Sequence, residues 1–145
     1  MNKILNKNGP IVIIEDDEDD IDFLKLAFSE LQLHNKVIYF RNGLEAFQYF
    51  VQPGSSPFII ISDINMPIMT GIQLKDKLLD EGTLNLRMVP FLFLTTGAAS
   101  DTIINIYANS VQGFFRKEAN FSLFKQTIRR IVEYWNACAT PSITN

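Results

Sequence analysis

The chain has 145 residues, of which 47% are hydrophobic, and its thirteen basic and sixteen acidic side chains give a net charge of −3. This length and composition suit one domain with a well-formed core, and the lack of a basic excess argues against direct nucleic-acid binding and against a membrane-surface protein. A lone cysteine excludes an intrachain disulfide. With no secretory signal and no apolar run near the roughly 20 residues of a membrane span, the sequence predicts a cytoplasmic protein.

Five short β-prone runs are spaced along the chain and predict five strands. They are 11–14 (IVII), 36–40 (KVIYF), 58–62 (FIIIS), 90–95 (PFLFLT) and 113–117 (GFFRK). The first, third and fourth runs are continuously apolar, a pattern typical of central parallel strands that are covered on both faces. The second and fifth runs alternate more and are predicted to flank them.

Helix-compatible segments follow these runs. Apolar residues recur at helical spacing in 20–32, 42–52, 70–82 and 120–139, and more weakly in 100–110. Alternating strands and helices predict an α/β fold with a doubly wound five-stranded parallel sheet and helices on both faces. The flavodoxin-like strand order 2-1-3-4-5 is expected, with ligands beyond the carboxyl ends of the strands. We expect a single domain over 1–145, with its core in about 10–138.

Six consecutive carboxylates, Glu15 to Asp20, follow the first predicted strand directly. Packed carboxylates repel one another and are costly to desolvate, so solvent, a helix N-terminus or a metal ion must offset them. We interpret 17–20 as residues that cap and charge the first turn of a helix. We interpret Glu15 and Asp16 as functional.

Further polar residues stand at the ends of the later strands. Asp63 follows the third strand, Thr95 ends the fourth, and Lys117 ends the fifth. If the fold prediction holds, these side chains converge with the acid pair at one edge of the sheet. Three carboxylates suit a hard cation such as Mg²⁺. The group as a whole can accept a phosphoryl group on Asp63, since carboxylates form aspartyl-phosphates and such transfer depends mostly on positioning and charge neutralisation.

This pattern resembles the receiver domains of two-component response regulators over about 10–138. The matching pieces are the acid pair, the stretch DINMPIMTG around Asp63, and Thr95 and Lys117 in order at strand ends. The form IIEDDEDD, the TT after the fourth strand and the long aromatic segment ending VEYW are similar to stand-alone receivers of the cyanobacterial-phytochrome-partner type. On this resemblance the chain is one receiver domain over 1–145.

The resemblance also implies residue roles. Asp63 is the implied phosphoacceptor, and Thr95 and Lys117 are the implied contacts of the phosphoryl oxygens. The implied cofactor is Mg²⁺, with Mn²⁺ as an alternative. Its implied protein ligands are Glu15, Asp16, Asp63 and the backbone carbonyl of Asn65.

Two positions bear on this comparison. Phe114 occupies the place of the Tyr or Phe that receivers commonly carry in the fifth strand, and its ring cannot hydrogen-bond Thr95, so a switch made of these two residues must rest on packing. Glu118 follows Lys117 where receivers usually have proline, often in a cis bond. Because a cis non-proline bond costs about 2.5–4 kcal/mol, we expect either a trans bond with a shifted loop or retained strain.

The sequence therefore predicts a stand-alone response regulator that is not an enzyme. It takes a phosphoryl group on Asp63 from a sensor histidine kinase in a Mg-dependent reaction. It signals to an unknown downstream protein through the face formed by the fourth helix, fifth strand and fifth helix. The sequence leaves undecided whether the chain also forms a homodimer through this face. Two alternatives remain, a phosphorelay intermediate that passes phosphate to a histidine phosphotransfer protein and a phosphohydrolase. The hydrolase is disfavoured because Asn65, two residues after the nucleophile, lacks a titratable proton.

Overall fold

The computed structural model describes residues 6–96 and 112–138, which contain a five-stranded parallel sheet. The strands are β1 (Ile11–Ile14), β2 (Val37–Phe40), β3 (Ile59–Ser62), β4 (Phe91–Thr95) and β5 (Gly113–Arg116). They lie in the order β2-β1-β3-β4-β5, and every neighbouring pair is parallel. The predicted fold class and strand order are confirmed, and each strand limit differs from the predicted one by at most one residue.

Helices connect these strands. They are α1 (Glu18–Leu31), α2 (Gly43–Phe50), α3 (Gly71–Glu81) and the C-terminal helix (Phe121–Ala137), with a short 3-10 helix at Leu86–Met88 that was not predicted. The helix predicted over 100–110 lies outside the described residues. Within the described ranges, none of the helices combines the length and the apolar character that a membrane crossing requires.

The central strands separate two apolar cores. In β1, Ile11 and Ile13 belong to the core covered by α1 and the C-terminal helix, whereas Val12 and Ile14 belong to the core covered by α2 and α3. Because successive side chains of a strand point to opposite faces, a strand buried on both sides must be apolar throughout. This explains why the first, third and fourth runs show no polar alternation.

The sheet aligns the carboxyl ends of its strands. Ile14 at the end of β1 is paired with Ser62 at the end of β3, and the backbone N–H of Asp63 donates to the carbonyl of Ile14 at 2.9 Å. Beyond the last β4–β5 pair, the N–H of Lys117 donates to the carbonyl of Thr95 at 2.7 Å. Residues that follow these strands are therefore held at one edge of the sheet.

The loop between β3 and α3 returns close to the end of β3. A β-carbon at Gly71 would clash with the carbonyl of Asp63 and would lie only 2.8 Å from Cε1 of Phe93 and 3.0 Å from Oγ of Ser62. The N–H of Gly71 also donates to the carbonyl of Ile64 at 2.8 Å. This close approach of backbone to backbone is possible only without a side chain, which accounts for the glycine that ends DINMPIMTG.

The same loop contains a tight turn. The N–H of Met69 donates to the carbonyl of Pro67 at 2.8 Å, and Ile68 between them has a φ of 73° and a side chain that is 75% exposed. A β-branched residue in the left-handed region is an uncommon, strained arrangement. The helix that follows is well capped, because Thr70 and Gln73 form a reciprocal capping box.

Candidate functional site

Three carboxylates meet at the carboxyl edge of β1 and β3. Glu15 is 2% exposed and Asp63 is 9% exposed, whereas Asp16 is open to solvent. One carboxylate oxygen from each residue lies within 4.8 Å of those of the other two. The convergence expected from the strand order is therefore present in the structure.

The ammonium group of Lys117 lies among carboxylates. Its Nζ forms an ion pair with Oε1 of Glu15, lies 2.8 Å from Oδ2 of Asp20 and lies 3.7 Å from Oδ2 of Asp63. The Lys117 side chain is only 9% exposed. No cis peptide bond occurs among the described residues, so the bond between Lys117 and Glu118 is trans, and the shifted loop expected with a trans bond stays a prediction.

Burial dominates the electrostatics of this edge. Desolvation raises the pKa of Glu15 to about 7, although the hydrogen bond from Lys117 opposes the shift, and the neighbouring charge of Asp63 adds to it. Desolvation also raises the pKa of Asp63, against the lowering effect of Lys117. For Lys117, burial favours a lower pKa, but hydrogen bonds to Asp20 and Glu15 outweigh it and raise the pKa. The cluster has more negative charge than one ammonium group can balance.

Backbone groups orient the two buried carboxylates. Oδ1 of Asp63 accepts a hydrogen bond from the N–H of Ile64 at 2.8 Å, and Oε2 of Glu15 accepts one from the N–H of Asp17 at 3.2 Å. The other oxygen of Asp63, Oδ2, is the one nearest to Lys117. The carboxylate of Asp63 is thus held by one oxygen and faces the ammonium group with the other.

The remaining predicted residues occupy three different surroundings. Thr95 is 2% exposed at the end of β4, and Asn65 is exposed two residues beyond Asp63. Phe114 is half-buried in β5, opposite Phe93, and packs against the core under α2 and α3. Thr95 ends β4 and Asn65 follows β3, whereas Phe114 is the second residue of β5. The functional roles of all three stay predictions.

The acidic run after Asp16 has several separate partners. Asp17 caps α1, since its side chain accepts from the N–H of Asp19 at 2.9 Å, and Glu18 forms an exposed ion pair with Arg41 at 3.0 Å. Asp20 instead turns toward the pocket and binds Lys117. The interpretation of 17–20 as helix-capping acids holds for Asp17 and is incomplete for Asp20.

Local sequence does not indicate the role of Asp20. It is the third residue of α1, but Asp16 precedes the extended N-cap Asp17, so helical spacing does not relate Asp20 to the acid pair. The spacing does not reveal its cationic partner, because Lys117 is 97 residues away along the chain.

The donor set fits a hard divalent cation. Three carboxylate oxygens are close together at an edge of the sheet where only one of the three residues is exposed. Oxygen ligands of this kind, with room for water, are those that Mg²⁺ prefers. Burial raises the pKa of Glu15, and a cation bound at this edge would favour the ionised carboxylate.

The strand order and this acidic edge define the class of protein: a flavodoxin-like α/β domain with a charged pocket at the carboxyl ends of its strands. The family model described as the response regulator receiver domain matches residues 11–129. The chain belongs to this family of two-component signalling domains.

Individual relatives agree with this assignment. The chain is 31% identical over 134 residues to the chemotaxis protein CheY-3 of Vibrio cholerae, covering 92% of this chain and 98% of the relative. It is 28% identical to the phosphorylated cyanobacterial phytochrome response regulator RcpA, with a TM-score of 0.80 and coverage of 92% and 98%. The Mn²⁺-bound form of Rcp1, a response regulator of Synechocystis, shares the fold at 24% identity, with a TM-score of 0.77 and coverage of 91% and 98%. The resemblance drawn from the sequence motifs is confirmed.

Proposed function

We propose that this response regulator accepts a phosphoryl group on Asp63 from the phosphohistidine of a sensor histidine kinase. The observation that carries the proposal is the pocket itself, in which Oδ2 of Asp63 faces Nζ of Lys117 at 3.7 Å beside an acid pair. On this proposal the whole chain, 1–145, acts as one receiver domain in the cytoplasm.

The chemistry assigned to the chain is a single displacement. A carboxylate oxygen of Asp63 attacks phosphorus and forms an acyl-phosphate bond, while the bond from phosphorus to the imidazole nitrogen of the kinase breaks and that imidazole takes up a proton from solvent. Lys117 pairs with the phosphoryl charge, and the hydroxyl of Thr95 donates to a phosphoryl oxygen. Each of these groups stands at or just beyond a strand end.

Metal binding is assigned to the acidic edge. The proposed ligands are Glu15, Asp16, Asp63 and the backbone carbonyl of Asn65, with Mg²⁺ as the cation and Mn²⁺ as an alternative. When bound, the cation neutralises the carboxylates and the charge on the phosphoryl oxygens. The close carboxylate oxygens and the Mn²⁺-bound form of Rcp1 support this assignment.

Phosphate uptake by the Asp63→Asn variant tests the proposal. The purified protein is incubated with labelled acetyl phosphate, with Mg²⁺ or with chelator, and incorporation is followed by intact-protein mass spectrometry. We expect one phosphoryl group on the parent in Mg²⁺, none in chelator and none on Asp63→Asn. Asp22→Asn, at an exposed site on α1, is the matched control and should label like the parent. Undiminished labelling of Asp63→Asn would reject the assignment.

The output is assigned to the face that contains β5. On phosphorylation, Thr95 moves toward the phosphoryl group and Phe114 turns inward. This reshapes the surface formed by the fourth helix predicted over 100–110, β5 and the C-terminal helix, where a downstream protein or a second copy of the chain docks. The half-buried position of Phe114, between solvent and the α2–α3 core, supports this path.

A phosphorelay role is the second candidate. In the reverse of the displacement above, the phosphoryl group on Asp63 passes to a histidine of a histidine phosphotransfer protein. Mixing phosphorylated protein with such a domain separates the two, since a relay loses its phosphate to the partner and an end-point regulator does not. A phosphohydrolase role finds no support at position 65, where Asn65 offers no titratable proton.

A further inference from the structure

We infer that Asp20 is a positioning residue for Lys117: it holds the ammonium group on the α1 side of the pocket and competes for it with a phosphoryl group on Asp63. The inference rests on the proposed function, because the competition exists only if Asp63 carries a phosphoryl group. The ion pair between Asp20 and Lys117 does not depend on it.

The distances show where the ammonium group resides. Nζ of Lys117 is 2.8 Å from Oδ2 of Asp20, a charge-assisted hydrogen bond, but 3.7 Å from Oδ2 of Asp63, beyond hydrogen-bond length. The Lys117 side chain is 9% exposed and that of Asp20 is 29% exposed. In this arrangement the ammonium group of Lys117, which is assigned to the phosphoryl group, is bound mainly by carboxylates other than Asp63.

Both partners are attached to rigid elements. Asp20 lies in the first turn of α1, where Asp17 caps the helix and the helix dipole favours a negative side chain. Lys117 lies four residues before the C-terminal helix, which packs on α1 through Phe23 against Phe121 at 5.1 Å between ring centroids. The packing of the two helices, together with the hydrogen bond from the N–H of Lys117 to the carbonyl of Thr95, therefore keeps the backbones of Asp20 and Lys117 close to each other.

Asp20 differs from the other carboxylates around Lys117 in one respect. Glu15 and Asp63 are proposed ligands of the divalent metal ion, so their negative charge is shared between Lys117 and the metal ion once that ion binds. Asp20 is outside that three-carboxylate group and stays available to Lys117. A phosphoryl group must therefore compete with Asp20, and removing the charge of Asp20 should make Lys117 more available to it.

Binding of fluoroberyllate, a mimic of the phosphoryl group, measures this competition. Asp20→Asn keeps the size of the side chain and removes its charge, and Asp19→Asn removes the same charge from the adjacent, exposed position on α1. Half-saturation by fluoroberyllate is followed by fluorine NMR on the full chain at fixed Mg²⁺. We expect Asp20→Asn to bind about three- to tenfold more tightly than the parent, as expected for loss of a partly buried competing ion pair. Asp19→Asn should change by less than about twofold, and Asp20→Glu, which restores the charge, should return toward the parent.

A double-mutant cycle tests the ion pair without metal or phosphoryl mimic. Unfolding by urea in chelator is measured for Asp20→Asn, Lys117→Met and the double variant, and a favourable coupling energy supports the pair. Additive unfolding energies, or equal fluoroberyllate affinities for Asp20→Asn and Asp19→Asn, would overturn the inference. A parent that bound no fluoroberyllate would reject the proposed function together with the competition. A favourable coupling energy would still support the role of Asp20 in holding Lys117.

Discussion

Glu15 is a carboxylate in a place that suits an apolar residue. It follows the four buried residues of β1, is 2% exposed, and has its nearest positive charge in Lys117. Removing a carboxylate from water is costly unless a counter-charge and hydrogen bonds replace the lost hydration. Lys117 is shared with Asp20 and Asp63, so the balance at Glu15 is incomplete in the metal-free protein.

The stability of the metal-free protein should therefore fall as pH rises through the acid range. Burial raises the pKa of Glu15 from an ordinary value of 4.5 to about 7. Between these two values the folded state keeps a proton that the unfolded state has released, so the free energy of unfolding decreases from about pH 4.5 to about pH 7. Urea unfolding in chelator across this range measures the slope. Glu15→Gln should flatten it, and an equal slope in that variant would assign the effect to another group.

Asp16 should separate metal binding from stability. It is the exposed member of the three-carboxylate group, and its charge adds to the raised pKa of Asp63. Asp16→Ala should lose Mg²⁺ binding and should stabilise the metal-free protein by about 0.5 kcal/mol, because it removes like-charge repulsion at an exposed site. Calorimetric titration with Mg²⁺ and urea unfolding in chelator measure the two effects. Unchanged metal affinity would remove Asp16 from the ligand set.

At the scale of elements, α3 supports the site through its first residue. Gly71 lets the loop after β3 come back against Asp63 and Phe93. Gly71→Ala should destabilise the fold by about 1–3 kcal/mol through overpacking and should slow phosphate uptake, since the inserted methyl group displaces the backbone of Asp63. Thermal unfolding and labelling with acetyl phosphate measure both.

The other end of α3 provides the control. Gly82 has a φ of 80° and open space where a β-carbon would lie, so Gly82→Ala should cost about 1 kcal/mol through backbone conformation alone. Phosphate uptake should stay at the parental rate in this variant. Equal uptake by the Gly71 and Gly82 variants would show that close packing at Gly71 does not support Asp63.

At the scale of the molecule, β5 has neighbouring aromatic residues that face different cores. Phe114 packs against the α2–α3 core and Phe115 against the core under α1 and the C-terminal helix. Burial of an aromatic ring is worth about 1.5–3 kcal/mol, enough to shift a two-state population by about one to two decades. Phe114→Ala should therefore leave phosphorylation of Asp63 nearly intact and uncouple it from assembly or partner binding.

Sedimentation of the parent and the Phe114 variant, with and without fluoroberyllate, measures how strongly the phosphoryl mimic changes the assembly of each protein. Phe47→Ala, which shortens a half-buried aromatic side chain of α2 outside this face, is the matched control and should retain the response of the parent. If the Phe114 variant changed its assembly with fluoroberyllate as strongly as the parent, the signal would have to travel through the loops after Thr95 or Lys117 instead.

Much of this architecture was predictable because the signals are local. The unbroken apolar character of β1, β3 and β4 follows from burial on both faces, and in a parallel sheet the residues after such strands must share an edge. The positions of Glu15, Asp63 and Lys117 in the pocket follow from strand order alone. The capping role of Asp17 was equally readable, since it precedes the apolar periodicity of α1.

Partner choice was not predictable in the same way. Whether Lys117 binds Asp63 or Asp20 depends on how α1 lies relative to the end of β5, and Lys117 and Asp20 are 97 positions apart. Burial of Glu15 likewise depends on neighbours from other strands, because its N–H is bound to the carbonyl of Phe40 at the end of β2. Such distances are set by packing of the whole domain and leave no mark in local sequence.

The double-sided burial of β1 means that the polarity of its two faces cannot fix its register. Where one face of a strand is wet, sliding by one residue exchanges buried and exposed side chains. In β1 the same slide would only exchange isoleucines and a valine between two dry cores, since Ile11–Ile14 are at most 1% exposed. The flanking residues supply the missing constraint. Sliding one way would place Pro10, which has no N–H, where Ile11 now donates to the carbonyl of Lys36. Sliding the other way would move Glu15 from the edge of the sheet, where it pairs with Lys117, to the position of Ile14 in the apolar core. The first carboxylate of the pocket thus also stops the strand from slipping.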